Sequence, residues 1–141
     1  DAEAICEAVA RPSMRFVPVK NIEQQAVLSL HRVRQGFVKA RTAQANQIRG
    51  LLGEYGLIVP QGISYIAQRV PALIEDASIE LPGSFRLLID RLLEHLKLLH
   101  RQVEEIEVQI KAWHRASDAS RRLEKVPGIG PLTATAMVAR G

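Results

Sequence analysis

The sequence predicts an all-α fold built around long helices, and three observations carry that prediction. Apolar residues recur at steps of three and four along most of the chain, which is the period of a helix face. Strand patterning is nearly absent: the one alternating run is Arg15-Phe16-Val17-Pro18-Val19-Lys20, and Pro18 restricts it to an edge or an extended connector. Aromatic residues make up 4% of the 141 residues, too few for base-stacking sheets or carbohydrate grooves, which need several exposed rings.

The elements follow from that period. Residues 2–10 form a short apolar-acidic turn pattern that stops near Pro12. From Ile22 the stripe runs Ala26, Leu30, Val33, Phe37, Ala40, Gln44, Ile48, Leu51, Tyr55. This predicts a helix of about 35 residues, roughly 50 Å long at 1.5 Å per residue. Gly56 ends it, and residues 57–62 read as a loop. Residues 63–79 predict a short helix broken at Pro71, then a connector. Pro82-Gly83 punctuates the chain, with Ser84 as the expected N-cap of the next helix. There the stripe is Phe85, Ile89, Leu92, Leu96, Leu99, Val103, Ile106, Ile110, Trp113, alternating four and three without a slip. Sustained 3.5-residue spacing is the coiled-coil period, within the chain or between chains; packing in a simple helical bundle is the alternative. After Ser117-Asp118 a short helix leads to Val126-Pro127-Gly128-Ile129-Gly130-Pro131, and a further helix runs through Ala139.

Composition excludes several classes. Apolar residues are 47% and charged residues 24%, a foldable balance and not that of a disordered tail. Unbroken apolar runs are a few residues long, so no segment spans a membrane. The single cysteine, Cys6, excludes an internal disulfide framework and a Cys-based zinc cluster. His31, His95, His100 and His114 have no metal-ligand spacing. With Asp1 at its start, no targeting segment and Gly141 inside a motif, the sequence reads as an internal piece of a longer protein.

The net charge of +4 is unevenly spread. Residues 11–49 hold Arg11, Arg15, Lys20, Arg32, Arg34, Lys39, Arg41 and Arg49 against Glu23 alone. A positive excess concentrated in one stretch is how a phosphate-binding footprint shows in sequence. Arg34, Arg41 and Arg49 border the apolar stripe, while Arg32 and Lys39 lie together on the far side near Asn46. Such rows suit a phosphate backbone lying along a helix. A solvated basic face is the alternative, weakened by the near-absence of interleaved acids.

Gly128-Ile129-Gly130 sits between two short helices. Glycines allow a tight turn with outward N–H groups, and Pro131 suits the first position of the next helix, whose dipole favours an anion. The turn, with Thr133 just beyond it, resembles the hairpin of helix-hairpin-helix modules, which hold a phosphate without reading bases. A plain interhelical turn is the alternative. Asp1, Glu3 and Glu7 could hold Mg²⁺ through carboxylate oxygens, or be acids favouring a helix dipole.

Taken together, these residues resemble DEDD-type insertion-sequence transposases of the insertion-sequence-110 family. The likeness is carried by Asp1-Ala-Glu-Ala-Ile5, Arg15-Phe-Val-Pro-Val-Lys20, and Leu30-His-Arg-Val-Arg34 through Arg41-Thr42 to Asn46-Gln-Ile-Arg-Gly-Leu-Leu52. It continues in Glu54-Tyr-Gly56 and in Val126-Pro-Gly-Ile-Gly-Pro131 with Thr133-Ala134; residues 63–118 match as helical pattern only. The resemblance implies an RNA-guided DNA recombinase, acting in the bacterial cytoplasm, with three parts in this chain. Residues 1–20 would be the C-terminal edge of an RNase-H-like catalytic domain, with Asp1 as the last of four Mg²⁺-binding acids. Residues 21–116 would be a helical coiled coil, and 117–141 the start of a second domain whose nucleophilic serine lies beyond the hairpin. Implied partners are DNA, a non-coding guide RNA and further copies of the protein, with no membrane. Lys20, Arg32, Arg34, Lys39, Arg41, Asn46, Arg49, Gly128, Ile129, Gly130 and Thr133 are the candidate nucleic-acid contacts. Such a piece would be inactive alone. The rival reading is a non-enzymatic coiled-coil scaffold carrying a helix-hairpin-helix.

Overall fold

The computed structural model describes residues 22–140, and every regular element among them is a helix. These are α1 (Ile22–Glu54), α2 (Ile63–Glu75), α3 (Gly83–Ala116), α4 (Asp118–Glu124) and α5 (Pro131–Arg140). The all-α expectation holds for the described residues. The turn pattern at 2–10, the alternating run at 15–20, and with them Asp1 and Lys20, lie outside those residues. Contacts divide the described residues into a unit spanning Leu30–Ala112 and a second that holds residues 22–29 and 113–140.

In the first unit, α1 and α3 run antiparallel. Arg34 meets Glu107, Arg41 meets His100, and Gln44 meets His95, so numbers fall along α3 as they rise along α1. Ala45, Ile48 and Leu52 of α1 share one core with Ile66, Val70 and Ile74 of α2 and with Phe85, Ile89, Leu93 and Leu96 of α3. Where three helices meet, the buried face of α3 widens to include Leu93, which the heptad leaves out. Further along, it narrows to Leu99, Val103, Ile106 and Ile110, as the 3.5-residue period requires.

The inner face of α1 keeps Gln44 and Ile48 of the expected stripe, with Leu30, Phe37, Ala40 and Leu51 half-buried, but departs from it elsewhere. Ala26, Val33 and Tyr55 are exposed, while Val27, Ala45 and Leu52 are buried. The reason is polar: Val27, Arg34, Arg41 and Ile48 form one seven-residue repeat, and two of its four inward positions are arginines. Their aliphatic stems cover apolar surface while their heads find partners on α3.

Two boundaries differ from expectation. Helix α2 continues through Pro71. Proline removes one backbone hydrogen bond, but Val70 and Ile74 on either side are buried in the core and hold the turn in place. Helix α3 starts at Gly83, and the Pro82 carbonyl accepts from the N–H groups of Phe85 and Arg86, so Ser84 is not its cap. Helix α1 ends as expected at Gly56, in the left-handed region with φ 79°. There Leu57 N–H reaches back to the Leu52 carbonyl and Gly56 N–H to that of Gly53, a Schellman closure. The loop between α2 and α3 is gathered by Arg86, whose guanidinium donates to the carbonyls of Ile74, Asp76, Ile79 and Leu81.

Candidate nucleic-acid interface

The basic stretch of α1 separates into an inward and an outward set. Inward, Arg34 Nε and Nη2 both donate to Glu107 Oε2, at 2.8 and 2.7 Å. Arg41 Nη1 lies 2.9 Å from His100 Nδ1, and His100 Nε2 lies 3.4 Å from Glu104 Oε2. Arg41 Nε is enclosed and has no acceptor. Arg49 Nε donates to the Val59 carbonyl and its Nη1 to Asn46 Oδ1, tying the loop after α1 to the helix. Of the three arginines expected to face phosphates, Arg34 and Arg49 are engaged within the chain, and Arg41 meets only an imidazole nitrogen, through Nη1.

Outward, Arg32, Lys39 and Asn46 recur every seven residues, about 10.5 Å apart along the axis. All three are exposed, and Arg32 and Lys39 have no ion-pair partner among the described residues. On the same face, between and beyond them, stand Gly36, Ala43, Gly50 and Gly53, also exposed. A Cβ built at Gly36, Gly50 or Gly53 meets nothing within 4 Å, so internal packing does not require these glycines. Each costs a helix interior about 1 kcal/mol relative to alanine. No acidic residue occurs between Glu23 and Glu54. This face is flat, basic and free of competing carboxylates, so an anionic surface can approach the helix backbone closely.

In the second unit, α4 and α5 flank the glycine turn. Gly128 is in the left-handed region with φ 87°, and Ile129 N–H closes onto the Val126 carbonyl. Pro131 opens α5, and the Gly130 carbonyl accepts from Ala134 N–H. Gly128, Gly130 and Thr133 are exposed and Ile129 is half-buried. Arg121, Arg122 and Lys125 line a surface hollow beside the turn together with Glu124.

One arrangement escaped the sequence reading. His114 Nδ1 lies 2.7 Å from Ser120 Oγ, and His114 Nε2 lies 2.8 Å from Glu124 Oε1. A carboxylate only accepts, so Nε2 carries a proton and donates to Glu124. The chain resembles a serine-histidine-acid triad, but Ser120 is fully buried and no substrate reaches its hydroxyl. It acts as a brace: Ser117 Oγ caps α4 by accepting from Ser120 N–H, and His114 ties the end of α3 to two turns of α4. Spacing alone gave no sign of it, since the three residues fit no metal or nucleophile motif. Among the described residues no group of three or more His, Cys, Asp or Glu side chains could hold a metal ion, and Asp1 lies outside them. No described helix is long and apolar enough to cross a membrane.

The class defined so far is an all-α chain with an acid-free basic helix face and a glycine turn between short helices. Comparison with known proteins adds to it. No family model and no solved structure matches the chain. Over 140 residues, 99% of its length, it is 46% identical to a probable family 20 transposase of Pseudomonas aeruginosa, covering 41% of that protein. It is 41% identical over 140 residues to the transposase for insertion sequence element IS1328 of Yersinia enterocolitica, again covering 41% of the relative. Against the transposase for insertion sequence element IS1111A of Coxiella burnetii it is 37% identical over 139 residues, 38% of that protein. The chain thus spans about two fifths of the length of these relatives, all named transposases, two of them of insertion sequence elements.

Proposed function

We propose that this chain is part of a DEDD-type, RNA-guided transposase that cleaves and rejoins DNA strands to move an insertion sequence. The observation that carries the reading is 37–46% identity along essentially the whole chain to proteins named transposases. The chain's own contribution is nucleic-acid contact, and its long helices link the catalytic parts. Asp1 is one carboxylate of the Mg²⁺ site, completed by acids outside this chain, and the nucleophilic serine is likewise supplied from outside. The chain alone is inactive. DNA and a structured guide RNA are its partners, with further copies of the protein, in the bacterial cytoplasm.

Within the described residues, the row Arg32, Lys39, Asn46 is the principal phosphate contact, because its heads are exposed and no neighbouring carboxylate competes. Gly128, Ile129, Gly130 and Thr133 form a second contact at the turn. Fluorescence anisotropy of duplex DNA and of a structured RNA, titrated across salt concentrations, tests the first. For B-DNA each lost phosphate contact flattens the log–log salt slope by about 0.9, so Arg32→Ala with Lys39→Ala flattens it by about 1.8. An unchanged slope removes this face from the interface.

A further inference from the structure

We propose that the Leu30–Ala112 unit carries a separate site for one unpaired nucleotide, in the groove between α1, α2 and α3. The proposal rests on reading the chain as a nucleic-acid-handling part of a transposase, and it concerns a different surface from the outward row of α1. The groove, open to solvent on one side, has a volume of about 720 Å³, within the size range of sites that take small molecules. Its apolar lining, here called the floor, joins the exposed Ala67 and half-buried Ile63 to the edges of the buried Leu93 and Leu96, and the cations Arg41, Lys97 and Arg101 line it as well, here called the rim.

The starting observation is a contrast between two arginines on one face of one helix. Arg34 and Arg41 are seven residues apart and both inward-facing, yet only Arg34 meets a carboxylate there. Arg41 meets an imidazole nitrogen, and its enclosed Nε has no acceptor at all. A seam arginine with a purely structural task is best served by the Glu107 arrangement, since an unsatisfied buried donor is costly. Arg41 instead borders a groove with two more cations. Lys97 has only an exposed contact to Glu94 at 3.3 Å, which neutralises it weakly, and Arg101 has no ion pair among the described residues. The one acid on the rim, Glu104, faces His100 Nε2. The rim is short of negative charge.

An apolar floor beside an unneutralised cationic rim fits a ligand with a flat apolar face joined to an anion. A nucleotide has that form: base on the aliphatic floor, phosphate on Arg41, Lys97 and Arg101. Ser64 and Gln68 at the groove wall offer hydrogen bonds to a base edge. A duplex keeps its bases stacked inward and would present only phosphates, leaving the floor wet. An unpaired nucleotide, from a single strand or flipped from a helix, fills both parts.

The test uses the full chain and three probes: a fluorescent oligothymidylate, a blunt duplex of equal length, and polyglutamate as competitor. Lys97→Ala with Arg101→Ala removes rim charge from two exposed side chains. Ala67→Trp fills the floor and leaves the charge intact, and circular dichroism checks that each variant keeps its helicity. Both variants are expected to weaken oligothymidylate binding at least tenfold and duplex binding less than threefold. Arg32→Ala with Lys39→Ala is expected to show the reverse preference. If both groove variants bind oligothymidylate like the parent while Arg32→Ala/Lys39→Ala loses it, the groove proposal falls and the outward row stands. If the groove variants and the row variant all bind like the parent, both fall. If Ala67→Trp has no effect and polyglutamate displaces the strand from the parent at equal charge, the groove selects charge alone and the nucleotide assignment is overturned.

Discussion

Arg34 and Glu107 join α1 to α3 through two donors on a single oxygen, Nε at 2.8 Å and Nη2 at 2.7 Å from Oε2. Both side chains are about a quarter exposed, so the pair is shielded more than a surface bridge but not fully desolvated. It fixes which residues of the two helices face each other.

The pair should therefore contribute to stability and leave nucleic-acid affinity largely alone. We expect Arg34→Ala and Glu107→Ala each to destabilise the fold by about 1 kcal/mol, with a coupling of about half that or more in a double-mutant cycle. Urea denaturation of the four proteins measures it. A null coupling would mean that the contact does not fix the register.

The departures of the α1 face from its expected stripe show how far the sequence could be read. Position and length of the two long helices were legible, because Ile22–Glu54 and Gly83–Ala116 each carry many turns of consistent period. The α3 seam was legible almost residue by residue, since its inward positions are aliphatic and signal burial themselves. The α1 seam was legible only in part, with Gln44 and Ile48 placed on it but Arg34 and Arg41 placed at its border. A hydrophobicity pattern assigns arginine to the outside, and only the partners Glu107 and His100, far off in sequence, turn Arg34 and Arg41 inward. The division of the basic residues into Arg34, Arg41 and Arg49 beside the stripe and Arg32 and Lys39 on the far side was legible, but the engagement of the first set within the chain was not. Helix α2 was misjudged at Pro71 because local propensity speaks against it and tertiary burial of Val70 and Ile74 overrides it.

His114 should be a stability residue of the second unit. Removing the ring leaves the fully buried Ser120 hydroxyl without its partner and opens a cavity. His114→Ala should cost about 2 kcal/mol or more, Ser120→Ala about 1 kcal/mol. Amide exchange across α4 reads the difference locally. If instead Ser120→Ala abolished DNA cleavage by the complete enzyme without loosening α4, the brace assignment would be wrong.

The connector between α2 and α3 should loosen in acid. Asp76 Oδ1 accepts from Ser78 Oγ at 2.6 Å and from Ser78 N–H at 2.9 Å. These bonds, and more weakly the charge of Arg86, hold its carboxyl below the ordinary value of 3.8. A carboxylate with a depressed folded-state pKa stabilises above its unfolded-state value, and the contribution disappears as pH falls through the folded value. Asp76→Ala should thus differ from the parent at neutral pH and converge with it in acid, by NMR of the Ser78 amide. A gap that persists below the folded-state pKa would place the effect in packing.

The two glycines of the turn should respond differently to substitution, which separates phosphate binding from folding. Gly128 has φ 87°, where a side chain is strained whatever the space around it. Gly128→Ala should therefore cost about 1–2 kcal/mol through the backbone alone, and any loss of DNA binding would be confounded with unfolding. Gly130 has no such constraint, and a Cβ built there meets nothing within 4 Å. Gly130→Ala should melt like the parent within about 0.5 kcal/mol. If the turn holds a phosphate at the N-terminus of α5, the added methyl group crowds that approach, and binding should weaken equally for all DNA sequences, because no base edge is involved. Gly130→Ala with parent-like melting and parent-like DNA affinity would leave the turn only its role of packing α4 against α5.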